Sequence, residues 1–106
     1  MEKKESKTKL EEIYSRLIGI KETIGEQNFF WDLANDFNKN VDESSEILDK
    51  DLNYYKIPEE KSFGHNVNHK YCPRDIGLSK INQFIRFLEN STDISEKIKA
   101  KSYDKY

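Results

Sequence analysis

Apolar residues recur at helical spacing in several stretches of the chain and lose that spacing in one. Leu10, Ile13, Tyr14, Leu17, Ile20 and Ile24 fall on one face at a period near 3.6, which predicts a helix over residues 9–24. Thr8 followed by Glu11 is a capping-box pattern, and Gly25 is placed to end the helix in a left-handed turn. Asn28 is suited to cap a second helix whose buried face is Phe30, Leu33, Ala34, Phe37 and Val41. Phe29 and Trp31 flank that stripe, so the start of this helix is apolar over more than half its circumference. Either that end is deeply buried, or Phe29 or Trp31 stands out as a binding anchor. Burial is the expected outcome, because a small core needs its rings.

A third helix is expected over residues 43–55, with Ile47, Leu48, Leu52 and Tyr55 inward and Asp42 or Ser44 as its cap. A fourth is expected over 79–90, where Leu78, Ile81, Phe84, Ile85 and Leu88 make a clear stripe and Ser79 or Asp75 serves its start. The Asn90-Ser91-Thr92-Asp93 run breaks that helix and caps a last one over about 93–102, whose strong apolar positions are Ile94 and Ile98. Between helices three and four, residues 56–77 show no clean period. Two prolines, two glycines and mixed aromatic and charged residues read as an ordered irregular segment, with a short hairpin through Phe63, Val67 and Tyr71 as an option. A stretch of that length is long for a small domain, and long ordered loops tend to carry function. The fold class expected is therefore all-α or mostly α: one domain of four to five helices, with residues 1–7 and 103–106 frayed.

Composition alters this picture in one respect. At 35% hydrophobic and 36% charged the chain borders on the composition of disordered segments, but six Phe, six Tyr and Trp31 supply large rings for a small core. A single cysteine excludes an internal disulfide, the charged start MEKKESKTK does not read as a signal peptide, and no run approaches a membrane span. Together these point to a cytoplasmic protein without a membrane partner.

The formal net charge of −2 hides an uneven distribution. Residues 41–60 hold two bases and seven acids, whereas residues 61–106 hold nine bases and five acids. Such a split favours steered association with a charged partner. Asp42, Glu43 and Glu46 fit the first turn of the third helix, where the helix dipole favours negative charge; Asp49 and Asp51 lie beyond that explanation.

Chemistry-bearing residues collect in the irregular stretch. His65, His69 and Cys72 give H-x3-H-x2-C, a spacing and donor set that suit zinc, but the usual second ligand pair is missing. Cys72 beside an imidazole could also be a nucleophile, yet YCPRD matches no nucleophile signature, and a structural cysteine is the plainer reading. Lys61, His65, His69, Lys70, Tyr71 and Arg74 interleave bases and rings, the recipe for phosphate contact with base stacking, and Lys80, Arg86 and lysines of the last helix could extend it. No glycine-rich phosphate loop, zinc-protease, serine-hydrolase or calcium motif is present, so neither an enzyme nor a bound cofactor is expected.

The expected function is a small protein-binding module: an inhibitor, immunity protein or adaptor that occupies a partner's surface. A phage or mobile-element inhibitor of a bacterial defence nuclease, such as an anti-CRISPR, is of this type, although no motif carries that comparison. Its partner would be another protein, a nuclease or nucleoprotein complex included. The candidate contacts are the acids Asp42, Glu43, Glu46, Asp49 and Asp51, and the loop residues Lys61, Phe63, His65, His69, Lys70, Tyr71 and Arg74. A nucleic-acid-binding accessory protein using the basic loop, and a metal or thiol site at His65, His69 and Cys72, are the alternatives.

Overall fold

The computed structural model describes residues 3–64 and 70–91. They form a mostly helical domain: α1 (Lys3–Thr23), β1 (Phe29–Phe30), α2 (Trp31–Leu48), two single 3-10 turns (Asn53–Tyr55 and Glu59–Lys61), β2 (Tyr71–Cys72) and α3 (Arg74–Ser91). Helix α1 packs against both α2 and α3, and the two strands pair antiparallel at one end of α2. No helix among the described residues is long and apolar enough to cross a membrane.

Helix α1 presents Leu10, Ile13, Tyr14 and Leu17 inward as predicted; Ile18, outside the predicted stripe, is buried as well, while Ile20 and Ile24 are only partly buried. The Tyr14 ring is wholly buried, and its hydroxyl donates to Glu89 Oε2 at 2.6 Å, which joins α1 to α3. The helix starts at Lys3, so Thr8 lies inside it and not at a capping position. Gly25 does not adopt the left-handed conformation expected of a helix stop, since Gly64 is the one described glycine with positive φ.

Residues predicted as the second and third helices belong to one helix, α2. Its inner face runs through Ala34, Phe37, Val41, Ser44 and Leu48 without a break. Ser44, which reads as a cap, is fully buried because its hydroxyl donates to the Asn40 carbonyl one turn back and needs no water. The helix ends at Asp49, the only described non-glycine residue with positive φ (53°). Ser45 then holds the exit: its carbonyl accepts from the N–H of Asp49 and of Lys50, and its Oγ accepts from Leu52 N. The expected helix beyond residue 48 is therefore absent; the chain folds back as a 3-10 turn instead. That turn lays Tyr55 against Phe84 and Phe87, with ring centroids 5.4 and 5.1 Å away.

The return segment is fixed to α2 by one side chain. Asn38 Nδ2 donates to the Ile57 carbonyl (3.0 Å) and Asn38 Oδ1 accepts from Ile57 N (2.8 Å). This amide satisfies both backbone groups of a residue only 2% exposed. Helix α3 begins at Arg74, earlier than the predicted start at 79, and buries Ile81, Phe84, Ile85 and Leu88. Phe84 meets Phe37 edge-on at 6.0 Å. Each fully buried side chain of this kind contributes about 1.5–3 kcal/mol. Gly77, expected in a loop, lies in the first turns of α3. A Cβ there would stand 2.3 Å from Phe29 Cζ and 3.1 Å from Cys72 Sγ, so any larger residue would force the Phe29 ring to shift. The last predicted helix, residues 93–102, lies outside the described residues.

Two stability predictions follow from these contacts. Gly77→Ala should destabilise the fold by about 1–2 kcal/mol in urea denaturation, because overpacking outweighs the ~1 kcal/mol that alanine gains in helix propensity. A stabilised variant would contradict the close approach. Asn38→Ala should cost about 1–3 kcal/mol, the penalty for leaving the Ile57 N–H and C=O buried without partners. A change within experimental error would mean the clamp is not formed.

Candidate functional site

The residues that stand out of the fold gather on the short ribbon. Phe29 pairs with Cys72 and Phe30 with Tyr71, and an isolated bridge joins Tyr71 to Phe63 on the other side. Because successive residues of a strand face opposite ways, Phe29 and Cys72 point into the core while Phe30 and Tyr71 point out. Phe29 is 9% exposed and Phe30 59%. Phe29 is buried as expected and Trp31 half-buried, so neither is an exposed anchor; Phe30, expected on the buried face of the helix, is the ring that stands out. The first helical position of α2 comes only after Phe30, which caps it without a side-chain bond. Asn28 caps a different helix: its Oδ1 accepts from Arg74 N at 2.9 Å, the first backbone N–H of α3.

Phe30, Tyr71 and Phe63 thus form one cross-strand row of rings. Phe30 stacks on Tyr71 at 5.2 Å and 23°, and Phe63 on Tyr71 at 5.8 Å and 29°. The spacing follows the ladder. Phe63 and Tyr71 exchange both backbone bonds, whereas Phe30 and Tyr71 are a non-hydrogen-bonded pair flanked by the Trp31 N to Lys70 O bond, and such pairs approach more closely. Phe63 is 46% exposed. Beside the row lies an open groove of about 470 Å³ bounded by Glu26, Gln27, Asn28, Phe63 and Tyr71. Of the hairpin offered through Phe63, Val67 and Tyr71, the described residues show one bridge, between Phe63 and Tyr71; Val67, His65 and His69 lie outside the described residues.

Two bases expected on a binding surface are engaged within the fold. Lys70 Nζ bonds Glu59 Oε1 at 2.6 Å and sits 5.5 Å from the Trp31 ring centre. That hydrogen bond, with the attraction of the ammonium charge, holds the Glu59 carboxyl below its ordinary value. Arg74 Nε donates to the Gly25 carbonyl at 2.7 Å, tying the start of the α1–β1 connection to α3. Lys80 lies 4.2 Å from the centre of the exposed Tyr54 ring and donates to the Tyr54 carbonyl. Lys61 is exposed at the end of its 3-10 turn.

The acids occupy other places than their sequence positions imply. Asp42, Glu43 and Glu46 lie in the C-terminal half of α2, not in a first turn, so the dipole does not explain them. No base occupies the last turn of α2. Asp42 is paired with Lys56 at 3.0 Å and Glu43 with Arg16 at 3.3 Å. Asp51 Oδ1 accepts from Asn53 N. Glu46 and Asp49 are exposed. At 1.5 Å per residue, the dozen residues from Phe30 to Asp42 put these acids roughly 18 Å or more along α2 from the ring row. The candidate residues therefore divide between the two ends of one helix.

Cys72 is fully buried under Phe29 and Gly77. Burial pushes its thiol from 9.0 up to about 11, partly opposed by a hydrogen bond from the Gly77 backbone, whereas a nucleophile needs the opposite shift. No group of three or more potential metal ligands occurs among the described residues. A second groove of about 480 Å³ between α1 and α2 is lined by Arg16, Lys39, Asn40 and Glu43, but Arg16 already bonds both Asn40 and Glu43.

Sequence reasoning missed Phe30 and the Glu26–Asn28 wall. The signal for Phe30 was a two-residue alternation, and its pairing partner stands far along the chain at Tyr71. No protein-family model, curated protein or solved structure significantly matches this chain.

The buried thiol carries a pH prediction. Below pH 9 folded and unfolded chains both keep the proton; between 9 and 11 the unfolded chain loses it first, so stability should fall as pH rises through that window. Urea midpoints of wild type and Cys72→Ala measured from pH 8 to 11 should show a steeper decline in wild type. Parallel declines would contradict the buried thiol.

Proposed function

We propose that this chain is a protein-binding module, an inhibitor or adaptor, whose contact is centred on the ring row of Phe30, Tyr71 and Phe63. The observation that carries this reading is the exposure of Phe30 and Phe63 in one stacked, register-fixed row on a small domain. Single exposed apolar residues are ordinary, but contiguous aromatic patches mark interaction sites, and aromatic side chains are over-represented in binding hot spots. Backbone pairing holds the rings in place, so little conformational entropy is lost when they are covered.

A stacked row could also serve as a platform for nucleic-acid bases. The charges favour protein. Lys70 and Arg74 are taken up by internal partners, and the groove beside the rings is walled by Glu26, which repels phosphate. An inhibitor that covers a basic nuclease channel is one form this function could take. Glu46 and Asp49, at the far end of α2, would then form a second and separable contact.

The test compares capture of the partner from lysate of the source cells by wild type and by the double variant Phe30→Ser/Phe63→Ser. Capture should fall at least about tenfold while the thermal midpoint moves only a few degrees, since the rings lie outside the core. Undiminished capture would refute the ring row as the contact. Salt-sensitive binding of a single-stranded oligonucleotide, abolished by the same variant, would replace this reading with the nucleic-acid one.

A further inference from the structure

We propose that the groove bounded by Glu26, Gln27, Asn28, Phe63 and Tyr71 receives an arginine side chain presented by the partner protein. This inference rests on the protein-binding reading and names the chemistry of its recognition.

The groove's two kinds of wall point to the same occupant. Its aromatic walls are Phe63 and Tyr71; Tyr71 is stacked between Phe30 and Phe63, so of the two it is Phe63, 46% exposed, that has a ring face outside the row. A planar guanidinium stacks on such a face through its π-system and its charge, which an ammonium does less well. The same groove is walled by Glu26, exposed, with no ion pair to another described residue. A carboxylate there accepts two parallel N–H bonds from a guanidinium. Gln27 adds a side-chain carbonyl acceptor to that wall. Asn28 Oδ1 is already occupied by Arg74 N, so Asn28 shapes the groove more than it accepts.

The alternative occupants fit worse. An aliphatic or aromatic side chain would cover the rings but desolvate the Glu26 carboxylate without a partner, a costly outcome. A phosphate or carboxylate would meet Glu26 with no cation among the described residues that wall the groove. The bases closest in sequence are committed elsewhere, Lys70 to Glu59 and Arg74 to the Gly25 carbonyl, and Lys61 is not a wall of the groove. The same fold twice places a cation against a ring internally, Lys70 at Trp31 and Lys80 at Tyr54. The groove likewise sets a ring beside a carboxylate, and no cation stands among its described walls.

The experiment is an amide chemical-shift titration of the isotope-labelled protein with a blocked Gly-Ser-Arg-Ser-Gly peptide, and with the same peptide carrying neutral, isosteric citrulline. The arginine peptide should shift the amides of Glu26, Gln27, Phe63 and Tyr71 saturably, and Glu26→Gln should weaken it by about fivefold. The citrulline peptide should show no saturable binding. Equal behaviour of the two peptides, or an unchanged affinity in Glu26→Gln, would overturn the proposal. If partner capture is lost in Phe30→Ser/Phe63→Ser but is unaffected by Glu26→Gln, the arginine site fails and the protein-binding reading stands. If capture survives the ring variant, the underlying reading fails.

Discussion

The approach of the Phe29 ring to the backbone of Gly77 is the constraint on which the rest of the domain turns. A Cβ at Gly77 would overlap the ring, so β1 and the start of α3 come closer than a side chain on that residue would allow without shifting the ring. Once Phe29 is seated there, strand alternation sends Phe30 outward, and the register with Cys72 and Tyr71 is set. Slipping β1 by one residue against β2 would bury Phe30 in place of Phe29. The exposed ring row is therefore a consequence of core packing, not a separate feature added to the surface.

Side chains from distant parts of the chain satisfy the backbone where the helices stop. Asn28 caps α3, Arg74 answers Gly25, Asn38 clamps Ile57, and Ser45 closes the end of α2. No buried side-chain nitrogen or oxygen among the described residues lacks a partner. Each such bond adds only about 0.5–1.5 kcal/mol, but losing the part-buried ones, at Asn38 and Ser45, leaves backbone groups unpaired at greater cost. This is how a chain with two prolines and four glycines holds its long irregular segments without many turn formers. It also consumes the polar and basic residues that sequence position would assign to binding.

What could be read from the sequence follows from the range of the interactions involved. The α1 stripe and the α3 core positions obey a local period, and they are inward as expected. The break placed near Asp42 was an error of local chemistry. Asp42 and Ser44 look like caps, but Asp42 pairs with Lys56 and Ser44 hides its hydroxyl on Asn40, so α2 continues. Asn28 fails as a cap for α2 for the reverse reason, its partner being 46 residues away. Phe29 and Phe30 could not be told apart, because two residues carry no period and their pairing partners are remote. Of the candidate contacts, Phe63 and Tyr71 come together at the ribbon, Lys70 and Arg74 turn out to be braces, and the acids lie at the other end of α2.

The orientation of the two adjacent phenylalanines is what both the fold and the proposed contact depend on. Nuclear Overhauser measurements on side-chain protons address it directly. The account predicts cross-peaks from the Phe29 ring to the Gly77 α-protons and from the Phe30 ring to the Tyr71 ring, with none from Phe30 to Phe37 or Gly77. Cross-peaks joining the Phe30 ring to Gly77 or to the core, with Phe29 facing solvent, would contradict it and remove the ring row from the surface.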